Sequence, residues 1–373
     1  MKFPEALGGA LLRRLLLLLL TTLLSLLLAE VALRFFEVDT EIRLSLKRGG
    51  LVQPYRALCE AQLTSPDFVV SYRINEYGLR DPRGRQLARS PGQRRWLLLG
   101  DSFSEGYGVS VAERFGQRLE GRSSELEVWN LGRMGSSPLF YVLQLRVWLA
   151  RLQPELVLVQ LFDNDLQEND YRRLRFDERG RVLALPAELE PRGSALFDIE
   201  ALSLTRHLRR AQRKLRGRRL PRLFVAAGRQ ATRPTSAPDS GAGPRFPWYD
   251  PGQRAHFEPL FARHEQLLRQ LIEEHRRRLD APPVVFLYIP DRDAFDLGSG
   301  AEELRAANPH AQLVAKVCAD TGVPLIDATE ILLEVSEDPK ALYYPNDLHW
   351  TTEAHEQVAR ALWPRLAKLV ERR

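Results

Sequence analysis

Arg95-Trp96-Leu97-Leu98-Leu99-Gly100-Asp101-Ser102-Phe103-Ser104-Glu105-Gly106-Tyr107-Gly108 sets a short apolar run against a glycine and a polar turn. A run this short, uninterrupted and closed by Gly100 predicts a strand buried on both faces, and the turn presents Ser102 ahead of a helix. The pattern recurs outward along the chain. Glu127-Val128-Trp129-Asn130 ends near Gly132, Leu156 to Phe162 is longer and rich in branched residues, and Val284–Ile289 and Val323–Ile326 follow. Helical spacing separates them, over Pro138–Arg151, Pro309–Asp320 and a closing stretch from about Thr352 to Val370. Continuous apolar runs alternating with helices predict a doubly wound, flavodoxin-like α/β three-layer sandwich with a mainly parallel sheet. In such a fold a ligand sits beyond the carboxyl ends of the strands.

Upstream, Leu15 to Leu28 is an apolar run broken only by Thr21, Thr22 and Ser25, and it follows Lys2, Arg13 and Arg14. A signal-peptidase cut needs small residues one and three positions before it, and Leu27 and Glu30 occupy the third position for cuts after Ala29 and Ala32. The run is therefore expected to stay attached. Extended to Phe36 it reaches the roughly 20 residues that cross a hydrocarbon core, so residues 1–36 are expected to be a transmembrane signal anchor. Arg34, Arg43, Lys47 and Arg48 after the run leave orientation undecided by charge, and the signal-like layout places the remainder outside the cytoplasm, in the periplasm. There Cys59 and Cys318 could pair or be buried as small apolar residues.

Residues 37–93 read as a polar, irregular lead-in, and 94–373 as the α/β domain. An insertion at about 171–250 breaks its rhythm, and Pro251–Leu279 reads as a helix returning to the sheet. Between Ala201 and Ala237 lie eleven basic residues and no acid, more than the whole net charge of +6, so the rest of the chain is net acidic. That segment could meet anionic lipid headgroups or an acidic glycan, although a solvated helix face is the plainer expectation. A basic surface spread over the fold is absent, and nucleic acid is not expected as a partner. Ordinary globular composition, 44% apolar and 27% charged, excludes collagen-like, disulfide-rich and wholly disordered classes. No signal for an oligomer is present, and a monomer is the default.

Gly-Asp-Ser alone is a common turn. Asn346-Asp347-Leu348-His349-Trp350-Thr351-Thr352-Glu353, just before the last helix, gives it meaning. An Asp two residues before a His can hold the imidazole in one tautomer, which leaves the other nitrogen to take a proton from Ser102. With Val128-Trp129-Asn130-Leu131-Gly132-Arg133-Met134-Gly135 and Phe162-Asp163-Asn164-Asp165 between them, the four blocks resemble the SGNH (GDSL-type) esterase and acyltransferase superfamily. The resemblance covers roughly residues 70–170 and 283–370. Asn75-Glu76-Tyr77-Gly78-Leu79-Arg80 is similar to the lead-in of membrane-anchored bacterial members.

The resemblance implies Ser102 as nucleophile, His349 as general base and Asp347 as its partner. It also implies an oxyanion hole from the Ser102 N–H, the Gly135 N–H and the Asn164 amide, with Gly132 the second choice for the glycine. Three departures stand out: only Leu348 separates Asp347 from His349, Asp163 replaces a Gly before Asn164 and adds a carboxylate near the oxyanion, and Ala354 replaces a Gly. The implied activity is hydrolysis of acyl esters, acetyl esters first, through an acyl-serine. An O-acyltransferase acting on an envelope or exported polysaccharide would share that intermediate, and a non-catalytic envelope scaffold would keep only the fold.

No cofactor and no metal are expected. Asp163, Asp165, Glu168 and Asp170 lack calcium-loop spacing and read as solvated loop carboxylates. His207, His256, His264, His275 and His310 have no partner at metal-ligand spacing, and His355 reads as helix surface.

Overall fold

The computed structural model describes residues 5–36, 55, 57–58, 60–168, 175–176, 182–184 and 246–371, with side chains of the first helix described over 13–29. The chain divides into two compact units, one of residues 1–40 with 192–235 and one of 41–191 with 236–373. In the first, α1 runs from Glu5 to Phe36, and its leucines between 15 and 28 are exposed. Among the described residues no helix is long and apolar enough to cross a membrane.

The second unit is built on five parallel strands: β3 (Arg94–Leu99), β4 (Leu126–Asn130), β5 (Leu156–Phe162), β8 (Val284–Ile289) and β9 (Leu325–Asp327). They lie in the order β4-β3-β5-β8-β9, which is the flavodoxin-like order with its switch point between β3 and β5. Alternation along each strand divides the core in two. Trp96, Leu98, Leu156, Leu158 and Phe162 face one side, where α3 (Phe115–Glu120), α9 (Ala328–Val335) and α10 (Thr352–Glu371) pack. Leu97, Leu99, Val157, Val159 and Leu161 face the other, covered by α4 (Pro138–Leu152), α6 (Arg254–Arg276) and α8 (Pro309–Thr321). Both faces are apolar because both are covered, so the strands read as unbroken hydrophobic runs rather than alternating ones.

The lead-in is more ordered than its polarity suggests. β1 (Glu60–Thr64) and β2 (Val69–Arg73) pair antiparallel, and Tyr55, Val70, Tyr72 and Ile74 form a small core of their own. Only alternate positions of β2 are buried, so its sequence carries too few apolar residues to announce a strand.

Within the insertion, β6 (Arg175–Phe176) pairs with β7 (Val182–Ala184). The basic segment between Ala201 and Ala237, read as a solvated helix face, lies outside the described residues. The insertion ends earlier than expected, because Phe246, Trp248 and Tyr249 are already buried in the core against Phe162 and α6. Cys318 is a free, buried thiol on α8, and burial pushes its pKa up to about 12. Cys59 lies outside the described residues.

Candidate active site

Ser102 opens α2 (Ser102–Glu105), a single turn capped by Asp101, whose carboxylate accepts the Phe103 N–H at 2.9 Å. The turn is held from beneath by Gln160, whose Oε1 accepts from the Asp101 N–H, the Ser104 N–H and the Ser104 hydroxyl at 3.0, 3.2 and 2.9 Å. Sequence reasoning missed Gln160. Its signal was a polar residue inside the otherwise apolar run from Leu156 to Phe162, where a buried amide needs partners.

At the far end of the sequence, the loop before α10 is tied at its base by the Tyr343–Trp350 bridge and by the Tyr344 N–H donating to the His349 carbonyl at 2.7 Å. Inside this loop Leu348 adopts φ 69°, a left-handed conformation that costs a branched residue free energy. That twist lets Asp347 and His349 meet across a single intervening residue, so the shortened spacing is structurally accommodated. His349 Nδ1 lies 2.5 Å from Asp347 Oδ1, and His349 Nε2 lies 2.8 Å from Ser102 Oγ. The predicted hydroxyl, imidazole and carboxylate are thus in line, 247 residues apart in sequence at their longest span. Thr351 caps α10 by accepting the Ala354 N–H.

The two glycines of the block after β4 have different tasks. A Cβ at Gly132 would stand 2.5 Å from the Glu105 amide nitrogen and 2.7 Å from Ser104 Cβ, so this glycine permits close packing on α2. Gly135 has φ 70° in the following turn. The turn is anchored by Glu105, another residue the sequence did not single out. Glu105 accepts from the Met134 N–H and the Tyr55 hydroxyl, both at 2.6 Å. Burial raises its pKa, against the lowering effect of Tyr55, Arg80 and the Met134 N–H. Arg80, from the lead-in block, donates to the carbonyls of Glu105 and Val109 and lies over the Tyr72 ring. The lead-in therefore braces the segment that carries Ser102.

Asn164 follows β5 in a turn, and its side-chain amide makes no hydrogen bond among the described residues. The Asp163 carboxylate is engaged by groups outside Ser102's turn. It is fully buried and accepts from the Tyr249 and Tyr288 hydroxyls, the Asn308 amide, the Asp291 N–H and His310 Nδ1. Asp165 is also fully buried, which corrects the reading of these two acids as solvated. Glu168 and Asp170 lie outside the described side chains. His264 and His310, distant in sequence, meet at 2.9 Å between their Nε2 atoms.

His355 is likewise not on the surface. It is 1% exposed, stacks on Phe115 and accepts the Phe115 N–H on Nδ1 at 3.2 Å. It caps α3, whose own N-cap residue, Arg114, provides no side-chain hydrogen bond. Burial, and then the neighbouring His349, Arg80 and Arg114, bring its pKa down to about 3.

The rim of the site is aromatic. Tyr107 and Phe103 lie against the His349 ring at centroid distances of 4.6 and 5.0 Å, and Phe68 from the β1–β2 turn touches Tyr107 and Tyr344. Asp67 of the same turn holds Asn346 through its backbone and side-chain nitrogens at 2.9 and 2.7 Å.

Residues 98–357 match the GDSL-like lipase/acylhydrolase family, which is well over half of the chain. The chain belongs to that family. It is accordingly a hydrolase acting on ester bonds. No curated protein matches the sequence. Among solved structures it resembles a lipolytic G-D-S-L family protein from Veillonella parvula, with 10% identity, TM-score 0.41 and coverage of 74% of this chain and 99% of that one. It also resembles the acetylxylan esterase Axe2 from Geobacillus stearothermophilus, with 12% identity, TM-score 0.40 and coverage of 73% and 94%. A third similar structure is the psychrotrophic esterase EstA from Pseudoalteromonas, with 13% identity, TM-score 0.36 and coverage of 74% and 97%.

Proposed function

We propose that this GDSL-type hydrolase is a serine esterase that cleaves acyl esters, acetyl esters first, through an acyl-Ser102 intermediate. The observation that carries the proposal is the chain Ser102 Oγ, His349 Nε2, His349 Nδ1, Asp347 Oδ1, closed at 2.8 and 2.5 Å. Asp347 accepts from His349 Nδ1–H and so keeps the Nε2 lone pair turned to the hydroxyl. The Ser102 oxygen attacks the ester carbonyl as its proton passes to His349 Nε2, giving a tetrahedral oxyanion. The same proton then leaves with the alcohol, and water repeats the cycle in reverse to release the acid. Asn164 suits the oxyanion role because no hydrogen bond among the described residues ties its side chain down, its Oδ1 being buried and unpaired, and the Ser102 N–H at the start of α2 is a second donor. Gly135 is the third, in a turn held by Glu105.

The enzyme is further proposed to be tethered by its N-terminal segment with the catalytic unit outside the cytoplasm. Support comes from the sequence, Leu15–Leu28 behind Lys2, Arg13 and Arg14, and from the exposure of those leucines along α1.

A fluorophosphonate probe tests the nucleophile. Folded wild type should label and hydrolyse an acetyl-ester reporter, and Ser102→Ala should do neither, with at least a 1,000-fold loss on the order seen when a triad member is removed. Absence of labelling in folded wild type would refute the esterase and favour a scaffold. Running the reporter with oligosaccharide acceptors separates transfer from hydrolysis, since acetylated oligosaccharide forms only if a sugar hydroxyl resolves the acyl-enzyme.

A further inference from the structure

Beyond the Ser102 site, the turn after β5, the middle of α6 and the first turn of α8 bring together two imidazoles and a carboxylate that the reaction does not use. Asp165, His264 and His310 are all fully buried. One ligand atom from each lies within 4.8 Å of the other two, and the two Nε2 atoms are 2.9 Å apart. We infer that Asp165, His264 and His310 form a binding site for a zinc-class divalent cation.

The donor chemistry is suitable, since two imidazole nitrogens and one carboxylate oxygen are a common zinc set. With metal–ligand bonds of about 2.0–2.1 Å, tetrahedral donors stand about 3.3 Å apart. Reaching that geometry requires the imidazoles to part by a few tenths of an ångström and Asp165 to close in. Three protein donors leave the fourth position to a solvent oxygen.

A second observation points the same way. Asp163 holds His310 from behind, accepting from Nδ1 at 3.0 Å. This fixes the tautomer and aims the Nε2 lone pair into the cluster, the carboxylate–histidine arrangement that supports metal ligands. Moreover, every other hydrogen-bond donor to Asp163 among the described residues is neutral: two phenols, a side-chain amide and a backbone N–H. A buried carboxylate without a nearby Lys or Arg is costly unless positive charge reaches it by another route. A cation on His310 Nε2 provides that charge through the ring.

The ion's task would be structural. Asp163 and Asp165 flank Asn164, so fixing both fixes the turn that presents the amide. His264 ties in α6, which brings the chain back from the insertion, and His310 ties in the first turn of α8. No step of ester cleavage passes through the ion, and the inference stands whether or not Ser102 is the nucleophile.

The experiment uses the full chain, purified without a metal-affinity tag, with metal content measured by mass spectrometry after dialysis. Wild type should retain close to one zinc per chain, and stripping with a chelator should lower its Tm reversibly. His264→Gln and His310→Gln should each weaken retention at least ten-fold. If those variants do not fold, stripped wild type reloaded with cobalt(II) should show the visible absorption of a tetrahedral nitrogen- and oxygen-ligated centre. Folded wild type that keeps no metal and whose Tm ignores added zinc would overturn the inference, leaving a proton shared between the two imidazoles. Equal retention in wild type and folded variants would overturn it too, because the ion would then be bound elsewhere.

Discussion

At the scale of single residues, polar side chains of two kinds surround the turn of Ser102: those with atoms left unpaired among the described residues, and those whose acceptors are committed to their neighbours. Asn164 is of the first kind, and Gln160 Oε1 and the Glu105 carboxylate are of the second. An amide with no hydrogen-bond partner among the described residues contributes little to stability, so removing it should separate catalysis from folding. Asn164→Ala is expected to lower kcat by about 10²–10³, with KM and Tm nearly unchanged. Steady-state kinetics and a thermal melt on the same preparation check this, and a fall in Tm that parallels the loss of rate would assign Asn164 a structural role instead.

Elements are joined here by polar side chains that serve a neighbour's backbone. His355 on α10 accepts the N–H at the start of α3, as Arg80 from the lead-in serves the carbonyls after α2. The α3–α10 contact has a pH signature. Because the folded pKa of about 3 lies below the unfolded value, the two states bind protons equally above pH ~6.5. Below it, the unfolded chain takes up a proton that the native protein refuses, so stability falls as pH drops toward 3. From pH 7 to pH 5 this group alone should cost about 2 kcal/mol. Urea unfolding at both pH values should show a smaller loss for His355→Gln than for wild type, whatever the variant's stability at pH 7. Equal losses would mean that His355 protonates in the folded state.

For the molecule as a whole, the proposed tether should be separable from the fold, since α1 belongs to a different compact unit from the sheet. Full-length protein is expected to sediment with membranes and resist alkaline washing. A chain beginning at residue 37 should remain in the supernatant and keep its ester hydrolysis. Full-length protein found wholly in the supernatant would refute the anchor.

The apolar runs from Arg95 to Leu99, Leu156 to Phe162 and Val284 to Ile289 determined the parallel sheet by themselves, because a strand covered on both faces must be hydrophobic throughout. Ser102, Asp347 and His349 were legible as candidates through the order of four blocks at the strand ends and the family they resemble, since Gly-Asp-Ser by itself is a common turn. The sequence was silent where the meaning of a residue depends on a partner far along the chain. His355, placed by its number on a helix, is buried with Phe115 and Trp350 packed against it. His264 and His310 are 46 residues apart and meet only through the packing of α6 and α8. Asp163 was visible as a charge, yet which way it faced was decided by Tyr249, Tyr288 and Asn308. Local pattern specifies what an element is, whereas burial and hydrogen bonding across elements depend on distances that only tertiary packing creates.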